Sequence, residues 1–380
     1  MRILFIYDAL YPDRTGGVEH RNRALARELS RRGHDVTLAG WARDVPDAPD
    51  GVKVLELSHS TELYDEDGRR RPRAALQFAR AVTELDAKAW DVVETANIPY
   101  VHLFPLWLKT KGSRTSLVVT WHEFMGPAWE DYLSGWKAPI FAGVERMVSS
   151  IGDIRVAVSE FTRDRLQDAG DGSGKAVPVV PNGIPLKKMA SIRREFGTPF
   201  GTGPAIVFAG RLHSNKRIQL VLKALENFEL DRPPPWFRII GDGPRRKGLE
   251  NSVRESGLSD RVEFTGQLEC AEDVWESVAA CDIAVQPSSR EGFGMFPLEA
   301  MGLGLPLVYW DSADSALSNL MRNQRGGIGI QSVKGFQRSI SNLLKSPEDY
   351  KELRQGALRR AEDFDWEEFA GSFEQLLLRS

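Results

Sequence analysis

Two glutamates enclose a glycine-rich segment in the second half of the chain. Glu291 precedes Gly292, Phe293 and Gly294, and Glu299 lies further on, inside a predicted helix. Backbone N–H groups at such a helix start can face an anion, and a carboxylate can accept hydrogen bonds from two hydroxyl groups. The segment therefore predicts a site for two polyhydroxy rings joined through phosphate. The alternative is that Glu299 is a solvated residue in the first turn of the helix, where it complements the helix dipole.

A basic pair offers the charge that a phosphate needs. Arg211 and Lys216 follow the predicted strand Ala205–Ala209 and precede a predicted helix. Both side chains should project from the carboxyl edge of a parallel sheet, where doubly wound folds bind ligands. A planar guanidinium and a compact ammonium suit a diphosphate. The alternative is that both are solvated surface charges.

A second glycine loop lies near the N-terminus. Gly16 and Gly17 come directly before the predicted helix Val18–Arg32. Glycines at a helix start let backbone N–H groups approach a phosphate or a sugar closely, but a tight strand–helix turn explains them equally well. The loop lacks the GxGxxG pattern, which counts against a dinucleotide cofactor.

A histidine occupies another sheet edge. His122 comes just after the predicted strand Ser116–Thr120, and the aromatic segment Phe124–Trp136 follows it. The histidine is a candidate ligand-binding group or a buried structural residue. The aromatic side chains could stack on a sugar or an apolar aglycone, or they could close the core beneath a long loop.

Short apolar runs alternate with helical patterns almost from end to end, which predicts parallel sheets covered by helices. The predicted strands are Ile3–Tyr7, Asp35–Ala39, Val52–Leu57, Val92–Thr95, Ser116–Thr120, Arg155–Val158, Ala205–Ala209, Phe237–Ile240, Val262–Thr265, Ile283–Gln286 and Leu307–Tyr309. The main predicted helices are Val18–Arg32, Ile218–Phe228, Arg245–Ser256, Ala271–Ala280 and Phe296–Met301. Both halves begin with a strand, a glycine-containing loop and a basic helix, which favours two Rossmann-like domains.

Proline and glycine cluster between Pro178 and Ile184, which places the domain boundary there. We expect residues 1–184 to form an N-terminal domain and residues 185–364 a C-terminal domain. Phe369, Phe373 and Leu376 have helical spacing, so residues 365–380 should form a helix that packs back on the first domain.

The composition of the chain limits which binding partners and which cellular compartment are expected. A net charge of −3 over 380 residues offers no general attraction for nucleic acid. Two cysteines are too few for a disulfide framework. The sequence holds no apolar run of the roughly 18 residues that a membrane span needs, and its start does not read as a signal peptide. A cytoplasmic protein is expected. The five arginines of Val18–Arg32 are interpreted as a solvated basic face, with a peripheral membrane contact or an acidic acceptor as the alternatives.

The chain resembles the retaining glycosyltransferases of family 4, which have the GT-B architecture of two facing Rossmann-like domains with parallel sheets and an interdomain cleft. The residues that carry the resemblance are Gly16-Gly17, Val158-Ser-Glu-Phe-Thr162, Pro181-Asn-Gly183, Gly210-Arg211 with Lys216, Gly241-Asp-Gly-Pro244, Phe264-Thr-Gly266, Glu291-Gly-Phe-Gly294 and Leu298-Glu-Ala-Met-Gly302. Glu123 follows the histidine where many members of the family have aspartate.

The resemblance implies that residues 1–184 form the acceptor domain and residues 185–364 the nucleotide-sugar donor domain, and it implies roles for the matching residues. Arg211 and Lys216 would stabilise the leaving diphosphate, Glu291 would bind the transferred sugar, and His122 would contact that sugar. The implied donor-binding residues are Gly16, Gly17, Arg211, Lys216, Gly241, Gln267, Leu268, Glu291, Gly292, Phe293, Gly294, Met295 and Glu299. Among them, Glu299 would hold the ribose, Gln267 and Leu268 would frame the base, and Gly17 would approach from the other domain.

The implied reaction is transfer of a hexosyl unit from a nucleoside diphosphate sugar to a hydroxyl acceptor with retention. UDP is the first expectation for the nucleotide, with GDP or ADP as alternatives, and the acceptor would be a sugar, an aglycone or a lipid-linked group. Two Asp-x-Asp patterns, Asp65–Asp67 and Asp363–Asp365, lie in charged loops, so we expect no metal and no cofactor. An epimerase or phosphorylase of the same fold, a dinucleotide-dependent oxidoreductase and a non-catalytic sugar-binding module stay as alternatives.

Overall fold

The computed structural model describes residues 1–11, 16–41, 48–57, 62–65, 69–133, 135–169, 176–196, 204–226, 228, 235–321 and 326–379. Three groups of residues discussed above or near the predicted domain boundary lie outside these ranges: residues 13–15, directly before Gly16 and Gly17, residues 66 and 67 of one Asp-x-Asp pattern, and residues 197–203. The chain divides into two compact units. The first is Met1–Asn182 together with Trp366–Ser380, and the second is Gly183–Asp365.

The first unit is built on a six-stranded parallel sheet. Its strands are β1 (Arg2–Ile6), β2 (Asp35–Gly40), β3 (Val52–Glu56), β4 (Val92–Ala96), β5 (Ser116–Trp121) and β6 (Ile154–Ala157). They lie in the order β3-β2-β1-β4-β5-β6. The central strand β1 is apolar and buried from Ile3 to Ile6, as expected for a parallel strand covered on both faces.

Helices cover this sheet. They are α1 (Gly17–Arg31), α2 (Pro72–Glu84), α3 (Leu103–Thr110), α4 (Trp129–Tyr132), α5 (Lys137–Val148) and α6 (Glu160–Asp168). Leu25 and Leu29 of α1 are one turn apart and fully buried. Gly33 follows the helix with a φ of 89°, a left-handed conformation that glycine adopts readily, so the helix ends there.

The second unit repeats the plan. Its strands are β7 (Ala205–Ala209), β8 (Trp236–Ile240), β9 (Val262–Gly266), β10 (Ile283–Gln286), β11 (Leu307–Trp310) and β12 (Gly327–Ile330). Their order in the parallel sheet is β12-β11-β10-β7-β8-β9. Its helices are α7 (Leu186–Phe196), α8 (Gln219–Glu226), α9 (Arg246–Glu255), α10 (Ala271–Ala279), α11 (Met295–Gly302), α12 (Leu317–Met321), α13 (Val333–Lys345) and α14 (Pro347–Ala361).

The last helix, α15 (Trp366–Leu377), returns to the first unit and packs against α1. Its buried face consists of Trp366, Ala370, Phe373 and Leu377. The Phe373 ring lies 6.3 Å from the ring of Phe5 on β1, measured between centroids. The helix therefore completes the apolar core on one face of the first sheet.

The predicted fold class is confirmed: each unit is a parallel six-stranded sheet with helices around it. Every predicted strand is present, with its ends within one residue of the prediction. The twelfth strand, Gly327–Ile330, was not predicted, because alternating glycines give little β propensity. In both sheets the strand order reverses once, between β1 and β4 and between β7 and β10, and ligands of doubly wound folds bind at such a reversal.

Candidate active site

The reversal in the second sheet brings two of the predicted residues together. Lys216 ends the short 3₁₀ turn Ser214–Lys216, which follows β7. Glu291 lies in the loop that follows β10, the neighbour of β7 in the sheet. The N–H of Ser289 donates to the carbonyl of Asn215 at 3.0 Å, so a backbone hydrogen bond ties the loop to the turn.

Lys216 and Glu291 form an ion pair. The Lys216 Nζ lies 2.5 Å from Glu291 Oε1, and the two side chains are 19% and 13% exposed. Gln286, the last residue of β10, donates from Nε2 to the same carboxylate oxygen at 2.6 Å. Because the pair is screened from water on most sides, it holds its geometry better than a surface pair would.

Gln286 is a site residue that the sequence analysis missed. Its side chain is 2% exposed and also contacts the Ser288 hydroxyl at 3.1 Å. The available signal was a polar residue at the carboxyl end of an otherwise apolar strand, which is where doubly wound sheets present their ligand-binding groups.

The glycine segment after Glu291 forms the start of α11. Gly294 is the N-cap and has a φ of 102°. A Cβ atom at this position would lie 2.7 Å from Leu317 Cδ2, so both the backbone conformation and the available space require glycine. The N–H groups of Met295 and Phe296, in the first turn, have no acceptor within the helix. The segment is thus arranged to receive an anion.

Glu299 lies in the second turn of α11, so it is not a first-turn residue. Its carboxylate accepts a hydrogen bond from Trp275 Nε1 at 3.1 Å, and its side chain is half-buried. Burial raises the pKa of Glu299 to about 7, against a smaller lowering by the Trp275 hydrogen bond. Trp275, on α10, is a second residue that the sequence analysis missed.

The other predicted donor residues follow the strands on either side. Gly241 comes directly after β8 with a φ of 123°, and a Cβ atom there would lie 2.2 Å from the Gly210 carbonyl oxygen. Arg211 follows β7 and is exposed, while Gln267 is exposed and Leu268 half-buried after β9. Because the strands are parallel, all of these residues lie at the same edge of the sheet as Lys216 and Glu291.

In the first unit, the glycine loop also forms a helix start. Gly16 is the N-cap of α1, Gly17 is the first helical residue, and both are exposed. A Cβ atom on Gly16 would lie 2.5 Å from Glu19 Oε2. The backbone of Gly16 and Gly17 is therefore exposed at the start of this 15-residue helix, but the Glu19 carboxylate lies close to Gly16 and itself complements the helix dipole.

His122 lies beside a buried charged pair. Burial, and next the positive charge of Arg21, lower the pKa of His122 to about 3, so the imidazole is neutral at pH 7. Burial likewise lowers the pKa of Arg21 to about 10 and raises that of Glu94 to about 7, while the two groups partly offset this for each other. Arg21 donates from Nη1 to the Pro181 carbonyl at 2.9 Å.

Several polar atoms of this cluster have no hydrogen-bond partner among the described residues. They are Nε2 of His122, Oε2 of Glu94, and Nε and Nη2 of Arg21. Buried polar atoms are normally paired with protein or water. A neutral imidazole can donate one hydrogen bond and accept another, so His122 is suited to contact a hydroxyl group of a ligand.

Two buried side chains fix the backbone around His122, and the sequence analysis missed both. Asn97, after β4, accepts from the His122 N–H at 3.2 Å and donates to the Glu123 carbonyl at 3.1 Å. Glu145, on α5, holds the segment that follows. It accepts hydrogen bonds from Tyr100 Oη, Met125 N, Gly126 N and Trp129 Nε1 at 2.7, 2.8, 2.7 and 3.1 Å.

The aromatic segment Phe124–Trp136 divides into two parts, with residue 134 outside the described ranges. Phe124 and Trp129 are 7% exposed and belong to the core of the first unit. Tyr132 and Trp136 are exposed. The first part of the segment therefore closes the core, whereas the second part reaches solvent.

Of the two Asp-x-Asp patterns, only Asp363–Asp365 lies wholly within the described residues. Asp363 pairs with Arg360 at 2.6 Å. Among the described residues, no group of three or more histidine, cysteine, aspartate or glutamate side chains is placed to hold a metal ion.

Comparison with known families accounts for both units. Residues 16–183 match the family described as Glycosyl transferase 4-like domain, and residues 192–360 match the family Glycosyl transferases group 1. Together the two matches span most of the chain. The two-domain fold is that of the GT-B glycosyltransferases, and the chain belongs to the glycosyl transferases group 1 family.

Known proteins of this kind match the whole chain. The glycogen synthase of Mycobacterium tuberculosis (strain CDC 1551 / Oshkosh) is 24% identical, over 100% of this chain and 94% of that protein. The GDP-mannose-dependent alpha-(1-6)-phosphatidylinositol dimannoside mannosyltransferase of Mycobacterium tuberculosis (strain ATCC 25177 / H37Ra) is 28% identical, over 98% of this chain and 94% of that protein. The structure of sucrose-phosphate synthase from Thermosynechococcus elongatus superposes with a TM-score of 0.82 at 22% identity, covering 100% of this chain and 98% of that one.

Proposed function

We propose that this chain transfers a hexosyl unit from a nucleoside diphosphate sugar to a hydroxyl acceptor, with retention at the anomeric carbon. The observation that supports the proposal most directly is the Lys216–Glu291 ion pair at the strand reversal of the second sheet. It sets a cation for phosphate beside a carboxylate for sugar hydroxyls, next to a helix start that favours an anion.

In this reaction, each part of the donor is bound by a different group of residues. The diphosphate leaves as an anion, and Arg211 and Lys216 stabilise its developing charge, with the α11 N-terminus beside them. Glu291 orients the transferred sugar through its hydroxyls, Glu299 holds the ribose, and the loop with Gln267 and Leu268 frames the base. His122 contacts the donor sugar as a neutral hydrogen-bonding group.

Retention by front-face attack fits the surroundings of Glu291. An inverting or double-displacement route needs a carboxylate free to act as base or nucleophile. Glu291 Oε1 already accepts hydrogen bonds from Lys216 and Gln286, which weakens it as a nucleophile. Attack by the acceptor hydroxyl on the face that the diphosphate leaves accounts for retention without a covalent intermediate.

Positive charge from side chains supports a metal-independent reaction. Arg211 and Lys216 provide the neutralisation that a divalent ion gives other phosphate-transferring enzymes. With excess chelator, turnover should therefore stay close to its untreated value. Activity that is lost with chelator and restored by Mg²⁺ or Mn²⁺ contradicts this part of the proposal.

The same proposal covers partners and compartment. The donor is a UDP-sugar first, with GDP- and ADP-sugars as the alternatives, and the acceptor is a sugar, an aglycone or a lipid-linked hydroxyl. The name of the mannosyltransferase relative supports a nucleotide-sugar donor and a lipid-linked acceptor among related proteins.

Both cysteines, Cys270 and Cys281, are free, in keeping with a reducing cytoplasm. No helix in the described ranges is long and apolar enough to cross a membrane.

A donor panel tests the proposal. Purified protein is heated with UDP-, GDP- and ADP-sugars, and binding should raise the melting temperature with at least one of them. The stabilising donor is then incubated with and without candidate acceptors, and products are identified by mass spectrometry and anomeric NMR. Conversion of donor alone to an isomer would identify an epimerase, and stabilisation by a nicotinamide dinucleotide instead would identify an oxidoreductase.

A further inference from the structure

The helix α5 exposes large apolar side chains on one face. Ile140 is 51% exposed and Met147 62%, and Trp136, directly before the helix, is 72% exposed. Phe141, directly after Ile140, lies on the adjacent side of the helix, with its ring 5.1 Å from the Trp129 ring. Spacings of four and seven residues bring Trp136, Ile140 and Met147 onto one side of the helix. These four residues, with Lys137 and Arg146, are called the α5 face below.

Charge is distributed unevenly on the same helix. Lys137 and Arg146 are exposed, whereas Glu145 is fully buried and accepts four hydrogen bonds from the interior. The acid of α5 therefore points inward, and both of its bases point outward. The exposed acids nearest to α5 along the chain are Asp131, on the short helix α4, and Asp153, directly before β6, so neither lies on α5 itself.

We propose that the α5 face docks on the surface of an anionic lipid bilayer. Large apolar side chains clustered on one exposed surface mark an interaction site. A helix that combines tryptophan and aliphatic side chains with lysine and arginine is suited to lie in the interface of a membrane, where the bases meet lipid headgroups. The α5 face thus supplies both an apolar and an electrostatic contribution to binding.

A second copy of the chain is a less suitable partner for the α5 face. A symmetric contact would bring the α5 face onto itself and place its cations opposite each other.

Helix α1 is a less suitable membrane-binding surface than α5, because its arginines are engaged within the protein. Arg21 is buried, Arg27 and Arg31 pair with Glu28, and Arg32 pairs with Glu374. The membrane contact that the arginine content of α1 left open is therefore assigned to α5 instead.

Vesicle co-sedimentation of the full chain tests the proposal without donor or acceptor, so its result does not depend on the proposed glycosyl transfer. The protein should bind vesicles of phosphatidylglycerol and phosphatidylcholine, bind pure phosphatidylcholine vesicles more weakly, and be released as salt is raised. The double variant Ile140→Ser/Met147→Ser should lower the vesicle partition coefficient by about tenfold or more. The double variant Lys137→Glu/Arg146→Glu should do so for anionic vesicles only.

Matched control variants distinguish vesicle binding through the α5 face from non-specific hydrophobic binding. Leu76 and Leu108, on α2 and α3, are 62% and 66% exposed, and Leu76→Ser/Leu108→Ser should bind vesicles as the unchanged protein does. Equal binding by the α5 variants and the unchanged protein, or no binding to anionic vesicles, overturns the proposal. Light scattering that shows a dimer converted to a monomer by Ile140→Ser/Met147→Ser would instead assign the face to a second copy.

Discussion

Lys216 and Glu291 lie 75 positions apart in the sequence, yet the ammonium nitrogen and a carboxylate oxygen are 2.5 Å apart in the structure. The two residues were predicted to bind different parts of a donor, the phosphate and the sugar. Their direct contact gives each side chain a charged partner. It also fixes the lysine at the strand reversal, where the proposed diphosphate would bind.

Lys216→Ala should reduce turnover by about two orders of magnitude or more, because it removes a charge that stabilises the leaving group. The measurement is steady-state kinetics with the donor found by the panel. Lys223, an exposed lysine of α8, provides the matched control, and Lys223→Ala should retain full activity. Turnover of Lys216→Ala close to that of the control would contradict the proposal that Lys216 stabilises the leaving diphosphate.

Affinity for the donor should rise with pH through about 7. Burial raises the pKa of Glu299 from 4.5 to about 7, so the carboxyl group is protonated in the free protein below pH 7. Only the carboxylate accepts hydrogen bonds on both oxygens, so below pH 7 donor binding must first release the proton. Affinity should fall by up to about tenfold per pH unit there.

Calorimetric titration with an intact nucleotide sugar between pH 5.5 and 8 measures this dependence, since its diphosphate is a diester and does not titrate in that range. His122, with a pKa of about 3, stays neutral throughout. Glu299→Gln should bind more weakly and show a smaller pH dependence, the remainder coming from Glu94, whose pKa is also raised to about 7. A flat profile for the unchanged protein, or a slope for the variant equal to that of the unchanged protein, argues against Glu299 as the ribose-binding group.

Glu145→Gln should lower the free energy of unfolding by about 2 kcal/mol or more. Four donors face the carboxylate, and either orientation of the amide turns an N–H₂ group toward backbone or indole N–H groups, which leaves buried donors unpaired. Denaturant unfolding followed by tryptophan fluorescence gives the value. Glu130→Gln, at an exposed position of α4, should change stability by less than about 0.5 kcal/mol; equal effects would mean that the buried hydrogen bonds are unimportant.

Phe373→Ala should destabilise the first unit by about 3–5 kcal/mol, the usual cost of emptying a buried phenylalanine site. Phe373 is fully buried in the core that α15 shares with β1 and α1. Differential scanning calorimetry should show a lower melting transition for the first unit. Leu378→Ala, one residue beyond α15 and 63% exposed, is the control, and an equally small effect of both changes would contradict the packing of α15.

Local patterns made much of the fold predictable. The apolar runs of β1, β7 and β10 are short and continuous because both faces of a parallel strand are buried, and this signal does not depend on distant residues. The glycines at Gly241 and Gly294 were likewise visible, because a left-handed backbone and a close neighbour leave glycine as the suitable residue there.

Other residues became apparent only in three dimensions. Trp275, Asn97 and Glu145 have no motif around them, since each acts through a hydrogen bond to a residue at least 20 positions away in its unit. Gln286 bonds to Glu291, only five positions further along, but the course of the loop between them decides that contact. The direction of a side chain was equally invisible: Arg21 and Arg23 both looked like members of a basic helix face, but Arg21 is buried against Pro181.

The sequence by itself determined the parallel two-sheet plan, the positions of nearly all strands and the residue types at the carboxyl edge of the second sheet. These features follow from periodicity and backbone requirements, which act within a few residues. The tertiary structure alone decided that Lys216 pairs with Glu291, that Glu299 is held by Trp275 with a raised pKa, and that α5 turns its acid inward and its bases outward. Contacts, burial and desolvation depend on which distant segments the fold brings together, and the order of the strands in the sheet sets that.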